Sequence, residues 1–171
     1  MKKKSVLMIV LSALLTLSCG TQKEANSEKN MALQKEVEEM ILAKKYSIKA
    51  NYAMPMKGKQ IYLSSAYDMR IQNDSAYAHL PYFGVAYSAP MGSEGGIKFQ
   101  EPMKNYKASK KDKNGEWNIS FKANDKSGSY DVNISIYQNG KASIYINPVQ
   151  RQAISFLGEL IFDKKLDKNN D

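Results

Sequence analysis

From Trp117 to Ile146 the chain alternates apolar and polar residues with a period of two. Trp117, Ile119, Phe121 and Ala123 interleave with Asn118, Ser120 and Lys122; Tyr130, Val132, Ile134 and Ile136 interleave with Asp131, Asn133 and Ser135; Ala142, Ile144 and Ile146 follow. Successive strand side chains point to opposite faces, so each run has one apolar face and one wet face. A helix cannot use this pattern, because its apolar stripe repeats every 3.6 residues. Asn139-Gly140 joins the last two runs and predicts a type I′ hairpin, whose two central positions need positive φ. Asn114-Gly115 and Ser127-Gly128 supply further turns. The spacing predicts an antiparallel meander with one solvated face.

The first third of the chain adds a helix and more strands. Asn30 to Lys45 places Leu33, Val37, Met40 and Ile41 on one helical face, with Asn30 as N-cap. Glu36, Glu38 and Glu39 precede Lys44 and Lys45, in keeping with the helix dipole. After Lys45, Tyr46, Ile48, Ala50 and Tyr52 alternate with polar residues and read as the buried face of a strand. Ile61 and Leu63 open another, and Tyr67, Met69 and Ile71 continue it. The last apolar segment, Ala153 to Phe162, reads as an edge strand, with a short helix as the alternative. The fold class is α+β: an N-terminal helix packed on a twisted antiparallel β-meander sheet, with room for the twist to curl it toward a half-barrel.

The chain opens with Met-Lys-Lys-Lys, an apolar run from Val6 to Leu17, and Ser18-Cys19. A basic start before a short apolar core is a secretory signal, and the run falls short of the about 20 apolar residues a spanning helix needs. Cys19 is the only cysteine, so no intrachain disulfide forms. It stands where a bacterial lipoprotein is cleaved and acylated, although Thr16 replaces the leucine favoured three residues earlier. Double acylation there would anchor the protein stably in a membrane. The organisation expected is a lipoprotein signal peptide over 1–18, the acylated Cys19 and a flexible tether over 19–29, one α+β domain over 30–162 and a charged tail over 163–171. A coil as long as the tether spans roughly 17–19 Å. The formal net charge of the 171 residues is +8, but the bases are interleaved with acids and read as a solvated face. An exported lipoprotein offers no nucleic-acid role.

Catalytic templates find little. His79 is the only histidine; it stands at no nucleophile motif, and zinc sites want several His or Cys ligands. Gly92-Ser93-Glu94-Gly95-Gly96-Ile97-Lys98 lacks the register of a phosphate loop. Glu94, Glu101 and Asp68 are carboxylate candidates by default. The reading is a non-enzymatic binding module with no catalytic residues, no metal and no cofactor; the alternatives are a structural accessory in an envelope assembly and, after it, a weak hydrolase.

One stretch, His79 to Phe99, concentrates aromatics, prolines and glycines. Prolines 81 and 90 restrict the backbone and the glycines free it, as in a packed loop that carries function. Tyr82, Phe83 and Tyr87 either plug one end of the sheet or, with His79 at the rim, line a platform for a glycan, an apolar ligand or an envelope protein. A small-ligand binder predicts a concave pocket at Tyr82 and Tyr87; a structural accessory in an envelope assembly predicts a flat apolar patch or open strand edge.

Leu80-Pro81-Tyr82-Phe83-Gly84, Ala86-Tyr87-Ser88-Ala89-Pro90 and Gly95-Gly96-Ile97-Lys98-Phe99 resemble the central signature of the domain-of-unknown-function family 4251 of Bacteroidota lipoproteins. Asn139-Gly140, Arg151, Ile154-Ser155-Phe156 and Gly158-Glu159-Leu160 are similar too, so the resemblance covers most of residues 36–162. It implies an exported lipoprotein and no particular activity. Surface-exposed lipoproteins of that lineage carry acidic residues after the acylated cysteine. Gly20-Thr21-Gln22-Lys23-Glu24 departs from this, which points to the outer membrane, facing the periplasm.

Overall fold

The computed structural model describes residues 21–87, 95–126 and 128–162. The expected signal peptide, Cys19 and the expected 163–171 tail lie outside the described residues. The described residues run through one helix, α1 (Thr21–Leu42), and nine strands. The strands are β1 (Lys45–Pro55), β2 (Ile61–Gln72), β3 (Ser75–Leu80), β4 (Ile97–Pro102), β5 (Lys104–Lys110), β6 (Trp117–Asp125), β7 (Gly128–Ile136), β8 (Lys141–Pro148) and β9 (Ile154–Ile161). They form one antiparallel sheet in the order β4-β3-β2-β1-β9-β8-β7-β6-β5.

That order is two meanders joined by their outermost strands. β1 lies between β2 and β9, so the last strand of the chain is central, not the edge strand its position suggested. Strands β4 and β5 stand at opposite ends of the sheet yet are separated only by Met103. They behave as two halves of one long strand, the first paired with β3 and the second with β6. Pro102 ends the first half, since it has no N–H to extend the ladder. The Met103 N–H donates instead to the Asp74 carbonyl at 2.7 Å. The sheet therefore curls past a half-barrel into a nearly closed barrel, and Phe99 of β4 meets the Tyr130 ring of β7 at 4.9 Å.

The inward faces fill the barrel. Ile48, Met69, Ile71, Leu80, Ile97, Ile119, Ile134, Ile136, Ile144, Ile146 and Phe156 are all fully buried. About eight strands make an interior just wide enough for side chains to fill, and each such aliphatic contributes roughly 1.5–3 kcal/mol by leaving water. The alternation read between Trp117 and Ile146 is the inward set of β6, β7 and β8 without exception.

Helix α1 covers one end. Val37 and Ile41 are buried and Leu33 and Met40 pack against the core, which is the stripe the spacing predicted. Lys110 at the end of β5 donates to Glu38 at 2.8 Å. The helix differs from expectation at both ends. It starts at Thr21, so Asn30 lies inside it and residues 21–29 are helical, not a coil. Gln, Lys, Glu and Ala in this stretch are good helix formers, and extending a formed helix costs far less than starting one. Residues 27–32 are exposed, so this part projects past the barrel. Its 22 residues span about 33 Å. The helix stops at Leu42 because Lys44 takes a left-handed conformation, φ 50°, which closes a helix C-terminus. The Lys44 ammonium then reaches Asp74 at 2.8 Å and lies over the Tyr106 ring.

The Asn139-Gly140 hairpin also differs in detail. Only Gly140 has positive φ, 77°. The Gly140 N–H donates to the Tyr137 carbonyl and the Tyr137 N–H to the Lys141 carbonyl, both at 2.9 Å. The turn is the three-residue form with a left-handed glycine, and the Asn139 side chain accepts from the Lys141 N–H at 3.1 Å.

Candidate binding surface

The loop after β3 is fastened to the turn between β8 and β9. The Tyr87 N–H donates to the Gln150 carbonyl at 2.9 Å and the Gln152 N–H to the Val85 carbonyl at 3.0 Å. Tyr82 is the centre of the clamp. Its hydroxyl stands 3.0 Å from both the Val85 and the Gln152 carbonyl oxygens and shares its proton between them. The Arg151 guanidinium lies over its ring at 5.2 Å and donates to the Gly96 carbonyl at 2.9 Å. Burial raises the pKa of the Tyr82 phenol, outweighing the opposing effect of Arg151. Phe83 borders on exposed and Tyr87 is open to solvent. Residues 88–94 lie outside the described residues.

His79 belongs to a different surface. It points outward from β3, opposite Asp68 of β2 and Lys98 of β4, with its ring 5.4 Å from that of Tyr67. Around it is a groove of about 400 Å³ lined by Asp68, Arg70, Tyr77, His79, Lys98 and Gln100. Arg70 pairs with Asp68 at 3.1 Å and covers the Tyr77 ring. The structure thus separates His79 from the tyrosines it adjoins in sequence. Of the default carboxylates, Asp68 lines this groove and Glu101 does not; Glu94 lies outside the described residues.

The outer wall of β1, β2, β8 and β9 carries residues that sequence reasoning missed. Between Ala50 and Tyr52 the pairing of β1 shifts on both sides: against β9 Asn51 is the extra residue, a bulge, and against β2 it is residues 63–66 of the partner strand that bulge. One added residue flips every side chain beyond it to the other face. Tyr52, expected inside with Tyr46, Ile48 and Ala50, therefore points out and Ala53 points in. Gly158 sits opposite Ala50. A Cβ there would fall 1.9 Å from the Lys49 carbonyl oxygen, so only glycine lets the kinked β1 approach β9 this closely. The registers then set Tyr62, Tyr52 and Leu157 side by side, with Met54 and Tyr145 flanking Ser155 in the next row. All five carry exposed surface, from 36% for Leu157 to 69% for Tyr62. Beside the bulge is a notch of about 470 Å³ whose lining includes Tyr52, Tyr137, Leu157 and Gly158. A further groove of about 630 Å³ runs along the outside of β5 to β8, past Tyr106, Lys122 and Tyr145. The signals available in sequence were Asn51, a poor strand former, and Gly158 in an apolar run. Neither shows where the register breaks.

The sequence profile of the domain of unknown function DUF4251 matches residues 28–160. The chain belongs to the DUF4251 family. No curated protein matches it. Among solved structures, the crystal structure of a DUF4251 family protein from Bacteroides eggerthii DSM 20697 at 1.95 Å resolution superposes with a TM-score of 0.61. That match has 20% identity and covers 76% of this chain and 87% of that one. It establishes the DUF4251 fold for this chain. Among the described residues, no helix is long and apolar enough to cross a membrane.

Proposed function

We propose that this protein is a lipid-anchored, non-enzymatic binding module of the cell envelope, held by acylated Cys19 at the outer membrane and facing the periplasm. It takes its ligand or partner on the outer wall of the barrel. The observation that carries this reading is the contrast between a filled interior and a row of exposed Tyr52, Tyr62 and Leu157 on the outside. A barrel that holds its ligand inside needs unfilled interior space; a wall that exposes large aromatics is equipped for contact. Helix α1, which begins at Thr21, suits a rigid spacer between an anchor at Cys19 and the barrel.

The test is mass spectrometry of what is retained when the protein is gently extracted from its own envelope. Three forms are compared: the natural chain, a Tyr52→Ala, Tyr62→Ala form and a Phe83→Ala, Tyr87→Ala form, each confirmed folded. The reading expects a molecule or protein lost from the first variant and kept by the second. Loss only from the second moves the contact to the loop, and equal recovery from all three counts against both. Intact mass of the extracted protein reads the lipid on Cys19, and an unmodified thiol there removes the anchor.

A further inference from the structure

We propose that the notch beside the β1 bulge is a binding site for a neutral saccharide. The inference rests on the reading that the outer wall is the contact surface, and it names the class of ligand. Its volume of about 470 Å³ lies in the range of small-molecule sites. The lining combines two kinds of group. Tyr52 and Tyr137 supply aromatic rings, each with about two-fifths of its surface exposed, and Leu157 supplies an apolar patch. Asn51, Gln60 and Asn139 bring primary amides to the same concavity.

A pyranose has this same duality. Its ring presents a face of C–H bonds, which suits the electron-rich face of a tyrosine. Its rim presents hydroxyls that both donate and accept, and a primary amide is a side-chain group that does both at once. Tyr52 is also held before any ligand arrives: its ring meets that of Tyr62 edge-on at 5.5 Å and 63°. An aromatic wall that is already oriented loses little freedom on binding.

Charge argues for a neutral ligand. The charged residues of the notch are Lys141 and Glu159. They are direct cross-strand partners and cancel, and Glu159 also stands 3.5 Å from the Asn51 amide. The groove at His79 is different in kind, since Arg70 and Lys98 there outnumber Asp68. A phosphate or an acidic lipid headgroup would favour that groove over the notch. A protein partner would need roughly 800 Å² of surface on this side, well beyond a single concavity.

The experiment is an amide-resolved NMR titration of the purified full chain with maltotriose, N,N′,N″-triacetylchitotriose and mannotriose, with inorganic phosphate as the charged control. At least one trisaccharide should shift the amides of Asn51, Tyr52, Asn139 and Glu159. Tyr52→Ala and Tyr137→Ala should each weaken that binding at least about tenfold, the loss of one good contact, while Tyr52→Phe retains it. Two separate variants keep the test valid if one misfolds. The proposal is overturned if no trisaccharide shifts these amides at about 10 mM, a concentration that would reveal even millimolar affinity. It is equally overturned if the shifts map to the His79 groove or survive both alanine variants. A notch that ignores all three sugars, in a protein that still loses an envelope partner on Tyr52→Ala, Tyr62→Ala, removes the saccharide and leaves the outer-wall reading standing. Failure of both experiments removes both.

Discussion

Two groups of tyrosines in this molecule have opposite fates. Tyr82 stands in the densest motif of the chain, and its hydroxyl is shared by two carbonyls beneath a guanidinium. Tyr52 and Tyr62 stand in plain strands and touch each other across the outer wall, 38% and 69% exposed. A concentration of aromatics, prolines and glycines marks a place where the backbone is hard to organise: the connection after β3 is tied to the turn between β8 and β9. Contact surface on a sheet needs no special backbone, only side chains that point outward and have no partner. The motif therefore points to architecture, and the candidate site lies elsewhere.

The comparison breaks most sharply at Gly158. Gly158→Ala drives a methyl into the Lys49 carbonyl, and the expected cost is about 3 kcal/mol, read as a lower urea midpoint with an unchanged slope. A cheap substitution would mean that the bulge is not pinned by this glycine and that the outward turn of Tyr52 has another cause. Next comes the clamp. Tyr82→Ala should cost about 2 kcal/mol and Tyr82→Phe about 1 kcal/mol, the second isolating the hydroxyl from the ring.

A third change should have the opposite sign. Tyr46 and Tyr106 bury hydroxyls that lie against each other and meet no other partner. Burial first, and then the neighbouring Tyr106 phenol, raises the Tyr46 pKa well above its ordinary value. Tyr46→Phe together with Tyr106→Phe should stabilise the protein by about 1 kcal/mol, because both buried hydroxyls are removed at once. The raised pKa also means that the folded state holds this proton more tightly than the unfolded chain does. Stability from it is complete below the unfolded phenol value of about 10 and is lost as the pH climbs toward the folded value. Urea midpoints taken on both sides of that value should fall on the alkaline side, and fall less in Tyr46→Phe. The smallest effect is on the wall: Tyr62→Ala should change stability by no more than about 0.5 kcal/mol while removing what the wall retains. A large loss of stability there would make the wall tyrosines structural, like Tyr82, and dissolve the contrast.

Much of the fold was legible. The inward set from Trp117 to Ile146 and the Leu33, Val37, Met40, Ile41 stripe follow from periodicity alone, because strong unbroken alternation leaves a strand one way to bury its apolar face. Strands β3, β4 and β5 were less visible: Ala76 and Ala78 are weak inward markers, and β5 is exposed along most of its length. The two-residue turn at Asn73-Asp74, with Asn73 at φ 56°, was the available hint for β3. Of the candidate site, the sequence pointed to the loop of Tyr82, Phe83 and Tyr87 and to His79, and the fold sends these to separate surfaces.

By itself, then, the sequence determined the apolar stripe of the helix, the strands from Trp117 to Ile146 with their apolar and wet faces, and the resemblance to the DUF4251 family. It did so because those properties depend on residues a few positions apart. Tertiary structure alone decided which strands meet, that the final strand is central, that β4 and β5 are one strand exchanging partners across the gap, and that Tyr52 faces outward. These depend on closure of the sheet. A bulge at Asn51, permitted by a glycine more than a hundred residues away, reverses the faces of the rest of β1, and no local pattern records such a distant agreement.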